Sequence, residues 1–295
     1  MLKSILIITY GREKELYETL RDISLYEKND LEVLLLDNNE IIYRKEKIIK
    51  IFEKSKVKLR YFHDGINYGV AVGRNYIIEK AKGKILITLD DDIEIKGDIN
   101  IFIQKIENYF INHPDVGCLA FNIINFYSRK QLRHEIPHGN KKLNFNKNLF
   151  TYYFIGAGHA IRKKVYEECG KYPDNLGKYG GEERDLSFRI LKHNYNILYV
   201  SNIMIYHKIS QNGRLQKKEE DFYRYRNQLI VLNKYMPRLY CISSNIIWSL
   251  FYLIKKNGTL KNILIVLKEI KQIEKNPISL SVINKIKEMK GRIYF

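Results

Sequence analysis

The 295-residue sequence predicts an α/β fold in which a mainly parallel sheet is covered by helices on both faces. Short aliphatic segments alternate with segments of helical periodicity four times within the first 95 residues. The aliphatic segments are nearly continuous, as in strands that are buried on both faces. Polar residues follow each aliphatic segment, at the edge where sheets of this kind bind ligands.

Individual elements follow from the same patterns. Strands are predicted over residues 4–8, 31–36, 58–62 and 84–89, and helices around residues 16–23, 47–56 and 70–81. Farther along, a helix is predicted over 99–110 and strands over 116–124 and 196–200, with a further apolar segment at 203–206. Residues 127–148 are polar and basic without a clear period, which predicts a mobile loop at the mouth of a site.

Three consecutive aspartates, Asp90, Asp91 and Asp92, end the fourth strand. Adjacent carboxylates repel one another, and no lysine or arginine lies immediately beside them in the sequence. A shared divalent cation would stabilise such a group. For an isolated acidic run, a solvated turn is the competing interpretation, and the motifs described below favour the cation.

The charge of the chain indicates an anionic partner. The net charge is +18, and residues 208–295 alone carry 18 basic and 6 acidic side chains, a net charge of +12. Nucleic acid, phosphorylated metabolites or a membrane surface would match this charge. The three cysteines, Cys118, Cys169 and Cys241, are far apart and predict neither disulfides nor a zinc site. With no secretory signal at the N-terminus, we expect a cytoplasmic protein.

Five motifs occur in order along the first half of the chain. They are Thr9-Tyr10-Gly11-Arg12, Asp37-Asn38-Asn39, Asn67-Tyr68-Gly69 with Arg74-Asn75, Gly83 before the fourth strand, and Asp90-Asp91-Asp92. This series resembles the donor half of family 2 glycosyltransferases, which have the GT-A fold. Gly11 stands where the family often has asparagine, and Lys84 where it often has aspartate.

The resemblance implies an inverting, hexosyltransferase-type enzyme that uses a nucleotide-diphosphate sugar, with UDP- and dTDP-linked donors both open. It predicts that Asp37 contacts the nucleotide base. The full set of residues that it places at the donor is Thr9, Tyr10, Arg12, Asp37, Asn67, Gly69, Arg74, Asp90 and Asp91. It makes Asp90, Asp92 and His207 the ligands of Mn²⁺ or Mg²⁺. A hard cation of this kind neutralises the charge of the leaving diphosphate.

A second acidic motif is predicted to hold the catalytic base. It is Gly180-Gly181-Glu182-Glu183-Arg184-Asp185-Leu186-Ser187-Phe188-Arg189, two glycines followed by an acidic first turn of a helix. Dipole capping alone would explain the acids. The family usually has Gly-Glu-Asp-x-Asp-Leu-x-x-Arg here, and its second acid deprotonates the acceptor hydroxyl. The match gives this role to Glu183, with Asp185 or Glu182 as rivals.

The remaining expectations for this site also follow from the resemblance. Gly156, Gly158, Gly181 and Glu182 are placed on the acceptor side. Two cationic side chains, Arg184 and Arg189, are expected to help the metal keep the base ionised.

The C-terminal part of the sequence predicts a helical extension. Residues 1–215 are assigned to the catalytic domain, with the donor half at 1–95 and the acceptor half at 96–215, and residues 216–295 to the extension. The segment Gln211-Asn212-Gly213-Arg214-Leu215 resembles the Q-x-x-R-W motif of processive synthases but lacks its tryptophan, which favours the addition of one sugar. Phe222-Tyr223-Arg224-Tyr225-Arg226-Asn227 resembles rhamnosyltransferase-like members that extend lipid-linked or cell-surface glycans.

Two interpretations of the extension stay open. Residues 239–254 carry no charge but, at 16 residues, fall short of the ~20 that span a bilayer. Residues 260–273 place lysines among aliphatic side chains. This pattern suits helices lying on an anionic membrane, peripheral to the inner face of the plasma membrane. A helical bundle packed on the enzyme or in a homodimer is the other interpretation.

Two other classes of function share some of these features. A sugar nucleotidyltransferase would share the sheet and a metal-binding aspartate, but it should carry a glycine-rich, arginine-containing loop that residues 9–14 do not provide. A non-catalytic nucleic-acid-binding protein would explain the charge and the 23 tyrosines. It would leave the five ordered motifs unexplained, so no specific nucleic-acid partner is expected.

Overall fold

A single sheet organises the chain. The computed structural model describes residues 1–210, 212–213 and 215–293. Within these residues, nine strands form one sheet. The strands are β1 (Lys3–Thr9), β2 (Leu31–Asp37), β3 (Lys58–Phe62), β4 (Ile85–Leu89), β5 (Ile93–Ile95), β6 (Val116–Asn125), β7 (Leu149–Thr151), β8 (Gly158–Arg162) and β9 (Asn196–His207). Their order is β3-β2-β1-β4-β8-β6-β9-β5, and β7 pairs with β9.

Helices connect the strands and complete the chain. They are α1 (Glu13–Ser24), α2 (Lys45–Phe52), α3 (Gly69–Lys80), α4 (Ile99–Asn112), α5 (Lys163–Cys169), α6 (Glu182–Lys192), α7 (Lys217–Tyr235), α8 (Arg238–Lys256), α9 (Leu260–Ile270) and α10 (Leu280–Glu288). The predicted helices and strands are present with ends shifted by a few residues. Of the segment compared with the processive synthases, Gln211 and Arg214 lie outside the described residues.

The first half has the predicted alternation and parallel pairing. β1 pairs in parallel with β2 and β4, and β2 pairs in parallel with β3. The side chains of β1, β2 and β4 are almost all buried, because helices cover both faces of the sheet. Thr9 at the end of β1 lies opposite Asp37 at the end of β2. The carboxyl ends of these strands therefore form one edge, as the sequence predicted.

The second half makes the sheet mixed. β8 is antiparallel to both β4 and β6, β6 is parallel to β9, and β5 is antiparallel to β9. In this last pair Ile93 lies opposite His207. The end of β9 is thereby brought next to the acidic residues that precede β5.

Two apolar clusters lie on opposite faces of the sheet. Successive residues of β1 alternate between them, with Ile5 and Ile7 in one cluster and Leu6 in the other. The cluster that holds Leu6 also contains apolar residues of α7, α8, α9 and α10. The C-terminal helices thus share a core with the sheet, and the division of the chain at residue 215 stays a prediction.

Gly83 provides a test of how closely the segment before β4 approaches β1. A Cβ atom at this position would lie 2.5 Å from the backbone nitrogen of Ser4 and 2.6 Å from the carbonyl carbon of Lys3. We expect Gly83→Ala to lower the free energy of unfolding by ~1–3 kcal/mol, because the backbone of a central strand must shift to accept the methyl group. Urea unfolding measures this change. Lys82→Ala, at an exposed neighbour, is the control, and an equal unfolding midpoint for both variants would contradict the expectation.

Candidate active site

Three potential metal ligands meet where β4 and β9 end. Asp90 and Asp92 follow β4, and His207 is the last residue of β9. One ligand atom from each residue lies within 4.8 Å of the other two. The Nε2 atom of His207 is 3.2 Å from an oxygen of Asp92 and 3.8 Å from an oxygen of Asp90. The structure therefore brings together the three residues that were predicted as metal ligands.

The surroundings of these atoms fit a bound cation. Asp92 is fully buried, and its Oδ2 accepts the backbone N–H of Ser210 at 2.8 Å. The Oδ1 atom of Asp92 and the Nε2 atom of His207 are also buried, and they face each other at 3.2 Å without a well-aligned hydrogen bond. Buried polar atoms without partners are costly. A divalent cation between a carboxylate oxygen and an imidazole nitrogen would satisfy both atoms.

Glu135 orients the imidazole of His207, and sequence reasoning did not identify it. The Nδ1–H of His207 donates to Glu135 at 2.6 Å, and the Glu135 side chain is buried. This contact leaves Nε2 directed at the aspartates, as in carboxylate–histidine–metal arrangements. Burial opposes the charged imidazole, but the carboxylates of Asp92 and Glu135 raise the pKa of His207 to about 10. Burial also opposes ionisation of Asp92, yet His207 and Arg12 lower its pKa to about 2.

The loop that carries Glu135 is held in place by buried contacts. Residues 127–148 contain no helix or strand, as predicted, and the mobility of this loop stays a prediction. His138 is fully buried, and its Nε2–H donates to the carbonyl of Met289 at 3.1 Å. The hydroxyl of Tyr152 accepts one backbone N–H from the loop and another from Arg292. The segment after α10 therefore fastens this loop.

Asp91 is not one of the three potential metal ligands. Its carboxylate accepts the hydroxyl hydrogen of Thr9 at 2.7 Å and pairs with Arg12 at 2.8 Å. Burial raises the pKa of Asp91 to about 7 although Arg12 acts to lower it. Arg12 also lies 3.6 Å from Asp92. Thr9, Arg12 and Asp91 thus form a polar cluster beside Asp92, and Thr9 is fully buried.

The two other predicted donor residues near this edge differ in exposure. Tyr10 is 42% exposed, whereas Asp37 is fully buried. Asp37 accepts hydrogen bonds from the backbone N–H groups of Asn39 and Tyr43 and from the hydroxyl of Tyr61. Contact between Asp37 and a nucleotide base would therefore require the segment after β2 to move.

A turn before α3 positions Arg74. The side-chain oxygen of Asn67, which is exposed, accepts the N–H of Gly69 at 2.9 Å, and Gly69 has a φ of +69° that favours glycine. The helix that begins there carries Arg74 toward the sheet edge, where its side chain is almost fully buried. This brings Arg74, but not Asn67, into the interior of the site.

Arg74 lies between the two acidic groups of the site. One guanidinium nitrogen is 2.8 Å from Glu183 and the other is 3.6 Å from Asp90. The guanidinium also donates to the carbonyl of Gly156 at 3.2 Å. A Cβ atom at Gly156 would lie 2.2 Å from the Glu183 carboxylate, so a side chain there would displace the carboxylate from this position. Arg74 thus contacts Asp90 in the predicted donor half and Glu183 in the predicted acceptor half.

The three acids of the first turn of α6 have different surroundings. The side chain of Glu183 is 18% exposed, and it contacts Arg74. Glu182 is buried, and burial together with the charge of Glu183 raises its pKa to about 7. Asp185 is buried on another side, where it accepts hydrogen bonds from Arg189 at 2.8 Å and from Lys234 at 2.9 Å.

Other sequence expectations around this helix need correction. Arg189 pairs with Asp185, and the guanidinium of Arg184 lies over the ring of Tyr153 at 4.2 Å. The cation that contacts Glu183 is instead Arg74, which lies 109 residues earlier in the chain. Only three-dimensional proximity reveals this pair.

Two of the glycines predicted on the acceptor side lie close to neighbouring elements, and their contact with the acceptor stays a prediction. A Cβ atom at Gly158 would lie 2.4 Å from the side chain of Ile205 in the core. Gly181, with a φ of +96°, begins α6, and a Cβ atom there would lie 2.9 Å from Asn227 of α7. The structure brings Gly156 to Glu183 but places Gly158 and Gly181 against apolar or helical neighbours.

The Arg-Asn pair of α7 supports the loop that leads into α6. The side-chain N–H₂ of Asn227 donates to the carbonyls of Tyr179 and Gly180, and Arg226 donates to the carbonyl of Leu176. Asn227 is fully buried, so these bonds are shielded from water. The motif that resembles rhamnosyltransferase-like proteins therefore fixes the segment immediately before Glu183.

The nine-stranded mixed sheet flanked by helices has the GT-A fold of solved glycosyltransferases. Residues 4–170 match the model of glycosyl transferase family 2. The chain belongs to this family and is a glycosyltransferase. Neither the nucleotidyltransferase nor the nucleic-acid-binding alternative receives support from these matches.

Two relatives illustrate the sequence similarity. An uncharacterised protein of Haemophilus influenzae is 54% identical over 171 residues, which are 58% of this chain and 92% of that protein. The GalNAc(5)-diNAcBac-PP-undecaprenol beta-1,3-glucosyltransferase of Campylobacter jejuni is 23% identical over 184 residues. That match covers 61% of this chain and 56% of the glucosyltransferase.

Solved structures show the same fold at low sequence identity. TarS 1–349 of S. aureus in complex with UDP-GlcNAc has a TM-score of 0.63 and 15% identity, and the match covers 92% of this chain and 81% of that one. The present chain spans 38% of the longer TarS chain. Mannosyltransferase PcManGT of Pyrobaculum calidifontis, in complex with GDP-Man and Mn²⁺, has a TM-score of 0.60 and 14% identity, with 97% and 78% coverage.

The metal group generates a first prediction for this site. Asp92→Asn keeps the shape of the side chain but removes its negative charge, so we expect Mn²⁺ binding to weaken by about 10- to 100-fold or more without unfolding. Isothermal titration with Mn²⁺ and a thermal melt measure the two effects. Asp174→Asn, at an exposed aspartate outside the group, is the matched control. Equal Mn²⁺ affinity in both variants would exclude Asp92 as a ligand.

Proposed function

We propose that the protein is a metal-dependent inverting glycosyltransferase that moves one sugar from a nucleotide-diphosphate sugar to a hydroxyl acceptor. The observation that carries this proposal is the position of Arg74 between Asp90 of the acidic group and Glu183 of α6. Arg74 brings a carboxylate of the acidic group and the candidate base to two sides of one guanidinium. An inverting displacement requires this opposed arrangement.

The donor side would hold a nucleotide diphosphate through a cation. Asp90, Asp92 and His207 would bind Mn²⁺ or Mg²⁺, which supplies positive charge against the leaving diphosphate. Support comes from the nucleotide sugars in both solved neighbours and from Mn²⁺ in one of them. UDP- and dTDP-linked sugars are the proposed donors. Among the predicted donor contacts, Tyr10 and Asn67 are accessible, whereas Thr9 and Asp37 would act from beneath the surface.

Glu183 is the proposed base. Its side chain is partly exposed, and its carboxylate lies against the backbone of Gly156, at a position that a side chain on residue 156 would occupy. The carboxylate contacts the guanidinium of Arg74 and would take the proton of the attacking hydroxyl. Asp185 is less suited to this role because Arg189 and Lys234 already occupy its oxygens inside the protein.

The proposed acceptor is a glycan or a lipid-linked glycan of the bacterial surface. Two observations support it, the resemblance of residues 222–227 to rhamnosyltransferase-like proteins and the lipid-linked name of the Campylobacter relative. Because the tryptophan of the processive motif is absent, we propose transfer of one sugar in each binding event. A cytoplasmic location, peripheral to the inner face of the plasma membrane, belongs to the same proposal.

A nucleotide-sugar screen tests the donor. With Mn²⁺ present, we expect one class of nucleotide sugar to raise the melting temperature, because a ligand at a hundredfold excess over its Kd stabilises the native state by about 2.7 kcal/mol. EDTA should remove most of the shift. The proposal would fail if UDP-, dTDP- and GDP-sugars all left the melting temperature unchanged, or if EDTA had no effect.

Glu183→Gln tests the base. The substitution keeps the size of the side chain and removes the proton-accepting charge, so we expect turnover to fall by about 10²–10⁴-fold while donor binding stays nearly unchanged. Release of nucleoside diphosphate measures turnover, and the melting shift measures binding. Glu183→Asp should retain measurable activity. If Asp185→Asn abolished turnover in a folded protein while Glu183→Gln stayed near wild type, Asp185 would be the base.

A further inference from the structure

Helix α8 presents an apolar stripe to the outside of the molecule. The stripe consists of Leu239, Ile242, Ile246, Ile247, Leu250, Phe251 and Ile254, which recur at intervals of three and four residues along one helix face. Each of these side chains is between 41% and 78% exposed. Contiguous exposed apolar surface of this kind marks an interaction site. On α9, Leu260, Leu264 and Ile265 are exposed as well.

The opposite face of α8 is fixed to the enzyme. Cys241, Ser244 and Tyr252 are buried, and the ring of Tyr252 stacks on Tyr225 of α7 with centroids 4.3 Å apart. Lys256 at the end of α8 pairs with Asp221 of α7 at 2.9 Å. The helix is therefore packed against α7, as the bundle interpretation predicted, while its outer face stays accessible.

Charge identifies the kind of surface that would cover the stripe. No acidic residue occurs in α8, and the basic residues Arg238 and Lys255 are exposed at its two ends. Lys261 and Lys268 are exposed on α9. Apolar side chains bordered by lysine and arginine match a bilayer surface with anionic headgroups, because the apolar groups enter the interface while the cations contact the phosphates.

A second copy of the chain would fit less well. The segment 208–295 has a net charge of +12, and a symmetric contact through α8 would bring two such segments together. Like charges at this density repel one another. An anionic membrane has the opposite charge and therefore attracts the same surface.

We propose that the α8 stripe docks the enzyme on an anionic membrane, with α8 lying in the interface rather than crossing it. Among the described residues, no helix is both long and apolar enough to span a bilayer. Because α7 contacts α8 and also supports the loop before Glu183, docking would hold the catalytic end at a fixed place relative to the membrane. Delivery of a lipid-linked acceptor to this site rests on the proposed function, whereas docking itself does not.

Vesicle flotation of the full chain tests the docking surface. We expect binding to phosphatidylcholine vesicles that contain phosphatidylglycerol, weaker binding to pure phosphatidylcholine, and weakening by salt. Ile246→Glu combined with Leu250→Glu should reduce binding to the anionic vesicles by about tenfold or more, because two apolar side chains are lost and two like-charged groups face the lipid. The melting temperature and the shift produced by nucleotide sugar should stay unchanged, which separates docking from catalysis.

The matched control places the same change on another helix. Ile101→Glu combined with Ile111→Glu alters two exposed isoleucines of α4 and should leave vesicle binding intact. Three results would overturn the proposal. They are absence of binding by the wild-type chain at low salt, equal binding by the α8 and α4 variants, and sedimentation showing a wild-type dimer that the α8 variant dissociates. The last result would assign the stripe to self-association.

Discussion

The contact between Arg74 and its carboxylates is the constraint on which the site depends. A guanidinium that is almost fully buried needs opposite charge close by, because an uncompensated buried charge costs several kcal/mol. Glu183 and Asp90 supply that charge from opposite halves of the chain. The pair also dictates the backbone around it, since Gly156 must lack a side chain for the Glu183 carboxylate to lie where it does. One ionic contact therefore fixes the relative position of a strand end, a helix and a loop.

The sequence predicted those features that depend on local pattern. Alternating aliphatic strands and helices, with polar residues after each strand, define the parallel half of the sheet and place Asp90 to Asp92 at its edge. His207 could be added only because the resemblance pointed to it. Its distance to Asp92 depends on the antiparallel pairing of β5 with β9, which no local pattern in the sequence specifies. The short helix α10 lies within the predicted helical extension, and its signals are local, with Ser279 as N-cap and Val282, Ile283 and Ile286 on the buried face.

The sequence alone does not identify which side chains contact each other across the fold. Glu135 lies in a polar segment without periodicity, and its contact with His207 joins residues 72 positions apart. The choice between the acids of α6 was likewise open, because adjacent carboxylates look alike in a sequence. In the structure Asp185 is tied to Lys234 on α7 and Glu183 is tied to Arg74. Their burial and their ionic partners distinguish Glu183 from Asp185, whereas residue type does not.

The contacts between the 127–148 loop and the segment after α10 limit how the sequences of such enzymes can diverge. His138 and Tyr152 bind backbone groups of Met289 and Arg292, and the same loop supplies the carboxylate that orients His207. The C-terminal helices are therefore not an interchangeable module. A recombination crossover near residue 215 would replace the segment that contacts this loop. A poorly matched segment would shift the loop and, with it, the carboxylate of Glu135 that orients His207. Divergence of the extension is therefore limited to sequences that keep backbone groups at the positions of Met289 and Arg292.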